Sequence, residues 1–347
     1  LWTLLTTKKA VRRMPTTSFL LMIAGFAICS YSMIANNMPQ TLGPFIRSNP
    51  GRAWWINWIF AAVVMLGVIF YGWIRNNGDV CYGRLDAIPL PDRYIWIHLV
   101  PPLALLAMTR FGIPVSPTFL IVPAFATAAL APMLRNALAG YAVGFAVSGL
   151  LYLMLSQVER RFIATKEQPP APEWRIVQFF ASGFLWSQWL IQNLANAFAY
   201  VPRQLSIPWL IFICALMVLL LGLVMRARGG ATQGIVNSKT NLQDVRSATL
   251  LDLLYGSLLL AFLQTSAVPM STTWVFLGVI GAREIILNRP PQSSPSRAVH
   301  GLARELRLAV VGLALSLSLA YVLPMFHAGV DRTFNVDGDV IPAATVP

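Results

Sequence analysis

Apolar residues fall along this chain in blocks, several of them about 20 residues long, the length that crosses the hydrocarbon of a bilayer. Candidate membrane segments lie at 18–36, 54–74, 94–112, 117–134, 138–157, 176–200, 206–226, 247–267, 271–287 and 307–326. Between the fifth and sixth, "VERRFIATKEQPPAPEW" (158–174) carries charge and a Pro-Pro pair and reads as a polar linker. A second Pro- and Ser-rich stretch, "NRPPQSSPSR" (288–297), reads as an exposed loop. The pattern predicts an all-α polytopic membrane protein. Its predicted parts are a basic N-terminal segment (1–16), a first transmembrane repeat (17–157), the linker (158–174), a second transmembrane repeat (175–327) and a C-terminal tail (328–347).

Composition agrees. The 347 residues are 56% hydrophobic and 11% charged, with a mean hydropathy of +0.63, whereas a soluble domain devotes about a quarter of its residues to charge. The net charge of +13 does not point to nucleic acid. Lys8, Lys9, Arg12, Arg13, Arg160, Arg161, Arg226, Arg228, Arg297, Arg304 and Arg307 sit mostly in short connections, the use of charge that sets membrane orientation. Trp54, Trp55, Trp58 and Trp73 suit interfacial belts. Cys29, Cys81 and Cys214 show neither a disulfide framework nor a zinc spacing. The chain opens on Leu1, which suggests a longer product, and its basic start lacks a small-residue cleavage site. The expected location is a multi-pass position in a bacterial inner (plasma) membrane.

Two polar motifs interrupt the apolar blocks, and each occurs twice. "IANNMPQTLGP" (34–44) ends the first segment of the first half, and "IQNLANAFAYVP" (191–202) ends its counterpart. "IPVSPTF" (113–119) then corresponds to "VPMSTTW" (268–274), and the interval from Asn37 to Pro114 matches that from Asn193 to Pro269 within one position. Unlike motifs recurring in the same order at one spacing indicate an internal repeat. An odd segment number, about five per repeat, inverts the second copy. Inverted repeats with discontinuous helices at their motifs are a design of secondary transporters, with the substrate site at the repeat interface.

Proline followed by hydroxyls suits a helix start. If such a start lies within the membrane at "PMSTT", its free N–H groups and the hydroxyls of Ser271, Thr272 and Thr273 form an anion site. The alternative is that these hydroxyls only cap helices. Asn36, Asn37 and Gln40 repeat as Gln192, Asn193 and Asn196 with the same spacing, on one helical face. Amides offer carbonyl oxygens to a cation and N–H groups to an anion; the alternative is interhelical hydrogen bonding. Arg283 and Glu284 read either as functional intramembrane charges or as an internal pair. Asp252, at the start of a span, reads first as interfacial, with a cation ligand or a proton carrier as the alternatives, and Arg110 as an anion attractor or a snorkelling side chain. His98, His300 and His327 share no ligand spacing, and no Ser/His/Asp grouping or nucleotide loop suggests an enzyme.

The same residues carry a resemblance. "ANNMPQTLGP" and "QNLANAF" are similar to the "GANDVANA" signature of the inorganic phosphate transporter family, and "PVSPT" and "PMSTTW" to its "PVSTT" signature. The resemblance spans roughly 34–120 and 190–290 and is densest in 238–284. It implies a cation-coupled phosphate symporter working by alternating access, with Na⁺ or H⁺ as the coupling ion and no other cofactor. By position it assigns substrate contact to Ser116, Thr118, Ser271, Thr272, Thr273, Asn37 and Asn193, and cation contact to Asn36, Gln40, Gln192 and Asn196. Asn37 and Asn193 stand where the signature has Asp, Gln40 and Gln192 replace Asn, and Pro117 interrupts the first hydroxyl run. The missing acids keep open a carrier of sulfate or another tetrahedral oxyanion, and a non-transporting receptor or subunit on the same scaffold. The oligomeric state is open, a homodimer among the candidates.

Overall fold

The computed structural model describes residues 15–113, 115–165, 170–227, 244–265, 269–287 and 295–334, and no strand occurs among them. The first half contributes α1 (Thr16–Thr41), the short α2 (Gly43–Arg47), α3 (Trp54–Arg75), α4 (Val100–Arg110), α5 (Pro117–Ile121) and α6 (Leu130–Ala164). The second contributes α7 (Pro172–Phe198), α8 (Ile207–Arg226), α9 (Val245–Thr265), α10 (Thr272–Leu287) and α11 (Pro295–Phe334). Six stretches, in α1, α3, α6, α8, α9 and α11, are long and apolar enough to cross a membrane. Their outer faces expose Ile59, Phe70, Met154, Ile211 and Leu219, as lipid contact requires.

Helix boundaries depart from the pattern where prolines fall. The stretch 94–112 is a 3₁₀ turn (Trp96–Leu99) followed by α4, whose 11 residues extend only about 16 Å. Segment 117–134 is not a span. Helix α5 has five residues and gives way to single turns at Val122–Ala124 and Thr127–Ala129. Pro123 lacks the N–H that would continue the ladder. The 35-residue α6 then runs from Leu130 through the predicted segment 138–157 and takes in the linker as far as Ala164. Pro172 opens α7 inside the other end of that linker. The predicted tail is helical as far as Phe334. Residues 1–14, 166–169, 288–294 and 335–347, on which parts of the predicted terminal segments, linker and loop fall, lie outside the described residues.

Helices α1 and α7 cross the core side by side in opposite directions. Near one end Phe26 meets Phe198 edge-on (5.4 Å between ring centroids) and Cys29 Sγ donates to Asn196 O at 3.4 Å. Near the other, Phe45, just past α1, meets Phe179 at 5.1 Å, and Asn49 Nδ2 donates to Gln178 Oε1 at 2.9 Å. Helix α4 packs on α1, α9 on α7, α8 on α1 and α3 on α7, and α3 and α8 also pack on each other.

Helix α10 lies against α6 at backbone distance. A Cβ at Gly278 would come within 2.4 Å of Tyr141 O, and one at Gly144 within 3.0 Å of Val275 O. Gly140 and Gly144 are spaced four apart, the small-residue pattern that lets membrane helices approach closely. A buried ion pair, Arg283 Nη2 to Glu159 Oε1 at 2.6 Å, clamps the same two helices. Glu159 falls in the stretch whose composition reads as a linker, and Glu284, the sequence neighbour of Arg283, lies farther off at 3.7 Å. On the loop side, Gly78 (φ 97°) follows the end of α3 and its carbonyl accepts Leu205 N–H at 2.9 Å. That bond ties the loop after α3 to the one after α7.

Candidate functional site

Both motif pairs end up in the interior. Every expected site residue is buried, the most exposed being Gln40 at 7%. The amides come from the last turns of α1 and α7; the hydroxyls come from the starts of α5 and α10, where the chain passes from extended backbone into helix. Ser116 has φ −81° and ψ 114° ahead of α5 and makes no capping bond. Ser271 Oγ also has no partner. Capping therefore does not account for either serine.

The halves pair crosswise. Thr273, at the start of α10, donates to Asn37 Oδ1 of α1 at 3.3 Å. In return Asn196 of α7 donates to Thr118 Oγ1 of α5 at 3.3 Å. Asn193 Nδ2 donates to Thr272 Oγ1 at 3.2 Å, Asn196 Nδ2 to Asn193 Oδ1 at 3.3 Å, and Thr118 Oγ1 to Met270 O at 3.4 Å. Side chains from four helices and both halves thus form two hydrogen-bonded groups, the pair Asn37–Thr273 and the chain Thr272–Asn193–Asn196–Thr118, which meet at the adjacent Thr272 and Thr273. Asn36, Gln40, Gln192, Ser116 and Ser271 flank these groups in sequence.

Six oxygens in these motifs are buried without a partner: Asn36 Oδ1, Gln40 Oε1, Ser116 Oγ, Gln192 Oε1, Asn196 Oδ1 and Ser271 Oγ. They fall at the same three repeat positions in each half. For three of the amides the orientation is forced. Asn36 Nδ2 donates to Val115 O at 2.6 Å, Gln192 Nε2 to Leu259 O at 3.2 Å, and Asn196 Nδ2 to two side-chain oxygens. Turning Asn36 or Gln192 over would set oxygen against oxygen. The free amide atoms of Asn36, Gln192 and Asn196 are therefore acceptors. Buried polar atoms left unpaired each cost about 1–3 kcal/mol, so a group of them marks a place where a ligand, an ion or water completes the bonding.

Other expectations resolve differently. Asp252 is fully buried among the helices, and Ser182 Oγ of α7 donates to its Oδ2 at 2.5 Å. Arg110 is exposed at the end of α4. Tyr255, one turn beyond Asp252, donates to Thr272 O at 2.9 Å and so braces the second hydroxyl motif. No sequence signal separated Tyr255 or Ser182 from ordinary interior residues.

No family model and no curated relative matches this sequence. Among solved structures, the chain is similar to one titled "The sodium-dependent phosphate transporter", with a TM-score of 0.60 and 15% identity over 90% of this chain and 100% of that one. At that identity the likeness establishes the fold. The chain is an all-α polytopic integral membrane protein.

Proposed function

We propose that this protein is a secondary active transporter of inorganic phosphate, a cation-coupled symporter working by alternating access between two inverted repeats in a plasma membrane, and not an enzyme. The observation that carries the reading is the crosswise pairing of Asn37 with Thr273 and of Asn196 with Thr118. It draws each half's hydroxyl motif to the other half's amide motif. The antiparallel course of α1 and α7 and the start of α5 and α10 at the hydroxyls support inverted repeats with discontinuous helices. The solved structure of similar fold is titled a sodium-dependent phosphate transporter, which agrees with the resemblance of the motifs.

On this reading Ser116, Thr118, Ser271, Thr272 and Thr273 contact the anion beside Asn37 and Asn193. Asn36, Gln40, Gln192 and Asn196 turn their free oxygens to the coupling cation or to the ligand's own hydroxyls. The second role favours phosphate over sulfate. Phosphate near neutral pH carries P–O–H donors that can satisfy free amide oxygens; sulfate carries none, and a site with unmatched acceptors rejects it. Uptake of labelled phosphate into proteoliposomes, with sulfate as competitor, tests this: phosphate should accumulate and sulfate should compete weakly. Equal competition by sulfate would remove the acceptor argument, and the absence of any uptake or exchange would favour the receptor reading.

A further inference from the structure

Resting on that transport reading, we propose that Asp252 is the binding site of the coupling cation and that the cation is a proton. Asn37 and Asn193 leave the motifs without an acid. Asp252 is wholly enclosed within α9, with Oδ2 held by Ser182 and Oδ1 without a partner. Glu159, also buried on the neighbouring α6, is neutralised by Arg283, but among the described residues no ion pair joins Asp252 to a basic group. A buried carboxylate without a counter-ion is costly and is relieved by a cation. A hard metal cation takes about six oxygen ligands. Asp252 and Ser182 offer three, and no cluster of three acidic, His or Cys side chains occurs among the described residues. A proton on Oδ1 needs no further ligand.

Other titratable groups stand on the elements around α9. Helix α6 presents Tyr152 and Glu159; α10 presents Arg283 and Glu284; α2 carries Arg47; the start of α7 carries Glu173 and Arg175. On α9 itself lie Arg246 and Tyr255. Arg283 is committed to Glu159 and Glu284, and Arg246 to Asp244.

The acid is also mechanically connected to the motifs. Helix α9 grips α7 through Ser182–Asp252 at one level and through Gln192 to Leu259 O at another, and it holds Thr272 O by Tyr255. A bare negative charge at Asp252 requires water in the α7–α9 seam. Release of the proton therefore favours a state in which that seam opens, and moving α9 against α7 carries the hydroxyl motif with it.

Two measurements test the assignment. Dicyclohexylcarbodiimide, an apolar reagent that adds to protonated carboxyls, is applied to the purified full chain, and the modified peptides are mapped by mass spectrometry. Asp252 should be labelled, less so as pH rises; a folded protein in which Asp252 stays unlabelled at acid pH overturns the proposal. In proteoliposomes, an inwardly directed proton gradient should accelerate phosphate uptake by the wild type, and in Asp252→Asn uptake should be equal with and without the gradient. A variant that keeps the acceleration overturns the proposal, as does wild-type uptake driven by Na⁺ and indifferent to pH. Exchange of labelled for unlabelled phosphate, which needs no net proton movement, separates the two layers. Its absence in wild-type vesicles overturns the transport reading and the assignment with it, while exchange without a response to the proton gradient overturns the assignment alone.

Discussion

Thr272 Oγ1 accepts from Asn193, whose Nδ2 also reaches Trp189 O at 2.9 Å. Thr272→Val preserves shape and leaves Asn193 a partner, so the fold should survive while an anion ligand disappears. A hydrogen bond to a charged group is worth roughly 1.5–3 kcal/mol, so phosphate affinity should fall about 10- to 150-fold, as read by calorimetry or uptake KM. Unchanged affinity in a folded variant would mean that Thr272 only braces Asn193. Restoring an acid tests the same point from the other side. In Asn193→Asp the carboxylate would face Trp189 O, acceptor against acceptor, with no cation nearby. Thermal stability should drop in Na⁺-free buffer and recover with added Na⁺ more steeply than in wild type, because a ligand that binds the folded state alone stabilises it; parallel salt responses would show that no cation reaches this position. The amides and hydroxyls were legible in the sequence because their spacing repeats. That Thr273 would meet Asn37 and not Asn193 was not, since the partner is decided by which half α10 leans on.

At the level of elements, the hydroxyl-bearing α10 is positioned chiefly by α6. Its two devices differ in kind: close backbone approach at Gly144 and Gly278, and the buried Arg283–Glu159 pair. Removing one partner of a buried pair strands the other charge, at about 3–5 kcal/mol, whereas replacing both by apolar groups of similar volume is often neutral. Glu159→Gln should therefore lower the melting temperature sharply, and Glu159→Met with Arg283→Met should regain most of the loss. If the double variant is no more stable than the single one, the pair does more than clamp the helices. The apolar blocks made the long helices readable, and Pro117 and the "PMSTT" run marked the starts of α5 and α10. The course of α6 was harder to read. Its charged end at Glu159–Arg161 looks like a loop until Glu159 is seen to turn inward to Arg283, and local composition cannot report a partner that lies on another helix.

Across the whole molecule, the antiparallel α1 and α7 place equivalent motif residues on either side of one centre, and the bond from Leu205 N–H to Gly78 O joins loops of both halves. The recurring motifs point to two like units but not to this crossing, because periodicity says nothing about how such units face each other. The crossing has a consequence for access. Ser116 and Ser271 are equivalent by repeat and both buried, at 6% and 1% exposure, each with an unpartnered hydroxyl. If the halves are inverted, the route that opens toward Ser116 from one side of the membrane has its counterpart opening toward Ser271 from the other. Single cysteines at these positions, Ser116→Cys and Ser271→Cys, are compared in proteoliposomes after Cys29, Cys81 and Cys214 are replaced by Ala. A membrane-impermeant thiol reagent should reach the two from opposite faces, and phosphate should slow both reactions, because a ligand bound between the motifs covers each thiol. Modification of both from the same face, untouched by phosphate, would contradict inverted access and leave the hydroxyl motifs as packing elements of the membrane core.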